Sequence, residues 1–68
     1  MSELIFLIEP ADDGGFVAKA LGVSIVTQAE TFEDLKKNIR DAVRCHFDEN
    51  AAPHIIRLHT VKDEVMAL

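Results

Sequence analysis

Glu9, Asp12 and Asp13 lie close together in the run EPADDGG, and clustered carboxylates are the groups that would hold a divalent metal ion. Metal ligands need a rigid setting, whereas Asp and Gly in this order are what a tight turn selects: Asp bonds its own backbone and Gly accepts positive φ. The run is therefore read as a turn, and no metal is assigned to it. His46, His54 and His59 fall on a predicted helix, loop and strand with no ligand spacing between them, so none is assigned there either. Cys45 adjoins His46, but neighbouring helix positions point about 100° apart, which leaves a bystander thiol beside an unrelated imidazole. Lys36, Lys37, Arg40 and Arg44 form a basic ridge, interrupted by Glu33, Asp34 and Asp41 and read as the solvated face of a helix. No cofactor motif is present.

Those residues need elements to position them, and length bounds what can be built. The 68 residues are 49% hydrophobic, which makes one small globular domain, residues 1–68, rather than a disordered chain. So short a chain hides only about 60% of the surface its unfolded form exposes. A lone cysteine rules out an intrachain disulfide and fits a reducing cytoplasm, so oligomerisation is the expected additional source of stability. The apolar run after Ser2 is too short, and too acidic at its start, for a secretory signal, and no stretch approaches a membrane span. A net charge of -5 argues against a free-standing nucleic-acid binder and is compatible with a basic partner.

The organising element is the helix predicted over 31–47. Phe32, Leu35, Ile39, Ala42, Val43 and Phe47 recur at the three-and-four spacing that lines one helix face. Thr31 is the predicted N-cap, Glu33 and Asp34 suit the positive end of the macrodipole, and Glu33 with Lys37 makes a favourable pair four residues apart. Residues 3–9, ELIFLIE, are continuous apolar β-formers between charges, the pattern of a central strand buried on both faces. Residues 10–15 form a hairpin turn, 16–21 a second strand, Gly22 a reversal and 24–29 a third, more polar strand suited to an edge. Asn50 is a plausible left-handed terminator after the helix, and Pro53 bars its continuation. Residues 55–61 form a fourth strand, laid parallel to the first by a right-handed crossover. The tail DEVMAL is too apolar to remain in water without a partner.

In this order the pieces IFLIEP, DDGGFVAKALG, VTQAET, TFEDLKKNIRDAV and RLHTVKDEV resemble the HicB-like antitoxin family over nearly the whole chain. The resemblance implies an α+β, β-β-β-α-β truncated ribonuclease H-like fold, one helix packed on a four-stranded mixed sheet, without nuclease chemistry. It implies an antitoxin-type role: binding a HicA-like messenger-RNA interferase toxin and blocking its catalytic histidine. Longer relatives carry a C-terminal DNA-binding segment; this chain stops at Leu68, so direct operator binding is not expected. One alternative is a structural or regulatory oligomer with no toxin. Another is an enzyme, a metal-dependent nuclease or a fragment of a larger catalyst.

The expected toxin-facing residues are the acidic Glu9, Asp12, Asp13, Glu30 and Glu33, which would steer a basic protein. A homodimer or higher oligomer is expected through what the helix leaves uncovered: Ile5 and Leu7 on the open sheet face, Ile56 and Leu58 of the fourth strand, and Val65 and Met66 of the tail.

Overall fold

A computed structural model describes residues 2–62 and 64–68. Strands β1 (Glu3–Pro10), β2 (Phe16–Ala20) and β3 (Val26–Ala29) are followed by helix α1 (Phe32–His46) and strand β4 (Ile55–Thr60). The architecture is α+β, with one helix on a four-stranded mixed sheet. The sheet order is β3-β2-β1-β4, so β1 is central, antiparallel to β2 and parallel to β4.

Strand parity builds the core. Leu4, Phe6 and Ile8 project from one face of β1 and are buried, joined by Ala18 of β2 and by Ile25, and capped by Leu35, Ile39 and Val43 of α1. The helical stripe is thus the predicted one, narrowed to its three central residues. The other face of β1 is not enclosed as its continuous apolar run suggests: Ile5 and Leu7 are half-buried, because the single helix lies on the opposite side. The third strand is shorter than expected. Ile25 leaves the ladder and turns inward, with its carbonyl accepting from Ala20 N–H at 2.9 Å.

The turns show where glycine is needed. Gly14 and Gly22 take φ of 93° and 95°, a region that L side chains rarely adopt. Asp13 works through its side chain, Oδ1 accepting from Gly15 N–H at 3.2 Å. Gly15 is constrained by space: a Cβ there would lie 2.6 Å from the Ala29 carbonyl oxygen.

At the start of α1, Thr31 is extended at φ -122°, ψ 156°, and its Oγ1 accepts from Asp34 N–H at 3.1 Å. Thr31→Ala is expected to cost about 1 kcal/mol, measured by chemical denaturation, with Thr31→Ser retaining most of it. The predicted pairing of Glu33 with Lys37 is replaced by Glu33 with Lys36 at 3.4 Å, where the Lys36 ammonium also lies 5.7 Å from the Phe32 ring centroid. Asn50 does not terminate the helix in a left-handed conformation; no described non-glycine residue has positive φ. Phe47 ends it in an extended conformation at φ -107°, ψ 147°, its N–H bonded to Val43 O, which lets the ring pack against the core.

Candidate functional site

The face of the sheet opposite α1 is uncovered. Register places Val26, Lys19, Leu7 and His59 in one row across it, Gln28, Val17 and Glu9 in the next, and Ile5 beside Arg57 on the other side of the first row. Its centre is apolar at Ile5, Leu7 and Val17, while Val26 and Ile55 stand exposed at its margins. Charge is set among these residues: Lys19 stands on β2 between Val26 and Leu7, and Glu3 Oε1 pairs with Arg57 Nε across β1 and β4 beside Ile5. An uncovered face that mixes apolar side chains with charged ones is the make-up of a protein-binding patch.

The acidic residues gather at one end of this face. Asp12 and Asp13 share a shallow depression with Pro10, Ala11, Val17 and Gln28, and the last two belong to the open face. Asp13 and Glu30 line a neighbouring one with Phe16 and Ala29. The close approach of Gly15 to Ala29 and Glu30 brings the hairpin turn against the junction between β3 and α1. Glu9 stands on the open face itself, opposite Val17. Glu33 is placed apart, in the first turn of the helix and ion-paired with Lys36. Among the described residues, no three His, Cys, Asp or Glu side chains converge as a metal site would require. His46 is exposed at the end of α1 against the Phe47 ring, His54 in the loop and His59 on the open face, so the fold does not assemble them. Cys45 is exposed on α1.

Two expected interface residues lie elsewhere. Ile56 and Leu58 are not on the face that carries Ile5 and Leu7; they pair in register with Leu4 and Phe6, look toward the helix side and pack against the core. There they line an open cleft of about 280 Å³ between α1 and β4 with Lys36, Ile39, Arg40, Pro53 and His54. The basic ridge therefore does not simply face away into solvent. Lys36 and Arg40 flank this cleft, and Arg44 borders a further hollow with Phe47, Glu49 and Ala52. The spacing 36, 40, 44, one position on from the buried 35, 39, 43, was the signal in the sequence: such residues stand beside the apolar stripe rather than opposite it.

Val65, Met66 and Leu68 are exposed, and the molecule measures 52 × 20 × 18 Å. No helix among the described residues is long and apolar enough to cross a membrane.

No family model matches the chain, and no solved structure does. Two relatives do. A UPF0150 protein of Thermotoga maritima is 42% identical over 66 residues, covering 97% of this chain and 93% of that one. A UPF0150 protein of Archaeoglobus fulgidus is 52% identical over 52 residues, covering 76% of this chain and 77% of its own. With 42% identity over 97% of its length to one such protein and 52% over 76% to another, this chain belongs to the UPF0150 family.

Proposed function

We propose that this chain is a HicB-like, antitoxin-type protein with a truncated ribonuclease H-like fold, acting by protein binding and without catalysis of its own. Its partner is a small basic toxin of the HicA-like messenger-RNA interferase class, which it covers. The observation that carries this reading is the uncovered sheet face, apolar at Ile5, Leu7 and Val17 and continuous at one end with Glu9, Asp12, Asp13 and Glu30. A basic protein would be steered by the acidic end and held by the apolar centre, the usual division between encounter rate and residence time. The β-β-β-α-β order of strands and helix is the one the family resemblance implies.

The test is co-purification with a HicA-like protein encoded beside the gene. A stable complex is expected, with messenger-RNA cleavage by the partner suppressed. Leu7→Asp should weaken it by about 2 kcal/mol, roughly thirtyfold in dissociation constant, while Asp12→Lys with Asp13→Lys should slow association about tenfold at low salt and leave dissociation little changed. Failure of every such partner to bind the wild-type chain would sink the proposal.

A further inference from the structure

The cleft between α1 and β4 and the tail beyond β4 are complementary, and a single copy leaves both unsatisfied. The cleft has an apolar floor of Ile39, Ile56 and Leu58 and a basic rim of Lys36 and Arg40. At about 280 Å³ it is open along one side, a groove rather than a pocket that closes around a small molecule. It lies beside β4, an edge strand with no neighbour on its outer side among the described residues. The strand has neither proline nor a run of charges to discourage pairing there.

The tail offers the matching elements. In an extended chain, residues two apart share a face. Glu64, Met66 and Leu68 then fall on one side, Val65 and Ala67 on the other. Met66 and Leu68 repeat at the spacing of Ile56 and Leu58, so a tail laid along β4 sets apolar against apolar across the pair and brings Glu64 to the side occupied by Lys36 and Arg40. Arg40 has no ion-pair partner among the described residues. Within one molecule the tail does not use this site: Val65 is 95% exposed and Met66 80%.

We propose that the tail of a second copy of this chain seats in the α1/β4 cleft as an added edge strand. Reciprocal exchange closes a twofold dimer in which each copy supplies the missing neighbour of the other's β4. Glu64, Met66 and Leu68 point into the cleft, and Val65 and Ala67 point to the open-face side. The proposal does not rest on the antitoxin reading: a dimer without a toxin complex, or a toxin complex with a monomer, separates the two.

Sedimentation velocity and interchain cross-linking on the full chain test it. The wild type should sediment as a dimer. Met66→Asp with Leu68→Asp should give a monomer with an unchanged far-ultraviolet circular dichroism spectrum, because the tail contributes nothing to the fold of one copy. Arg40→Glu should raise the dimer dissociation constant about tenfold, and adding Glu64→Arg should restore it. In a Cys45→Ser background, Arg40→Cys with Glu64→Cys should be joined between copies by a short bis-maleimide, which spans a separation too long for a disulfide, and Arg40→Cys with Val65→Cys, whose thiol points to the opposite side of the tail, should be joined far less. A wild-type monomer at every concentration, a dimer that survives the tail substitutions, a charge swap that does not restore assembly, or equal cross-linking of the two cysteine pairs would each overturn it.

Discussion

Phe6→Ala is expected to abolish the cooperative thermal transition of this protein. Phe6 is fully buried in the central strand, between β2 and β4 and under the helix, and it is the largest fully buried side chain among the described residues. Truncating a buried phenylalanine costs about 3–5 kcal/mol, the lost transfer free energy together with the cavity left behind. A chain of 68 residues at about 0.05–0.15 kcal/mol per residue has roughly 3–10 kcal/mol in all. The substitution therefore removes much or all of the stability of one copy. Circular dichroism against temperature should show a gradual slope in place of a sigmoid, while Phe6→Leu, which keeps most of the volume, retains a transition at a lower midpoint. Full retention of the wild-type midpoint by Phe6→Ala would mean that the core is not centred on β1.

Gly15→Ala should destabilise by about 1–3 kcal/mol, more than Thr31→Ala, although it adds only one methyl group. The added carbon would lie 2.6 Å from the Ala29 carbonyl oxygen and 3.2 Å from the Glu30 Cα, both backbone, so no side chain can swing away to admit it. The hairpin turn and the junction between β3 and α1 must separate instead. That same contact brings Asp13 beside Glu30, so the acidic end should loosen along with the fold. Gly14→Ala meets no atom within 4 Å and carries only the conformational cost of its positive φ. Comparing the two denaturation curves distinguishes a steric requirement from a conformational one; equal losses would contradict the close approach at Gly15.

The helix, its Thr31 cap, the glycine turn and the parallel return of β4 were legible in the sequence because each rests on neighbours in the chain: a 3.6-residue repeat, a hydroxyl three residues from an amide, and a strand-helix-strand order with one permitted hand. The placement of Ile56 and Leu58 was not. That they share a face follows from IIRLHT alone, but which face is set by register with Leu4 and Phe6, and a shift of one residue would reverse it. Nothing local fixes a pairing between the two ends of the chain. The acidic end was half legible: Asp12 and Asp13 are adjacent, but Glu30 joins them only because Gly15 lets two segments touch, whereas Glu33, close in sequence to Glu30, is drawn off by Lys36. Asn50 misled for a related reason. Its intrinsic tolerance of a left-handed turn counted for less than the need to bring the Phe47 ring to the core.

The pairing of β1 with β4 also governs when this molecule can form. Glu3 is matched with Ile55 and Ile8 with Thr60, so the first strand made during synthesis waits for the last before it gains its second neighbour. Contacts that span so much of the chain close loops of high entropic cost before they return any stabilisation, which slows folding relative to helical proteins of equal length. Until then the apolar run LIFLI has only the β2 hairpin on one side and an unpaired edge on the other. A nascent chain stalled before residue 55 would present that edge to whatever it meets, so this protein's period of greatest exposure to misassociation falls on the ribosome, in the interval before its final strand emerges.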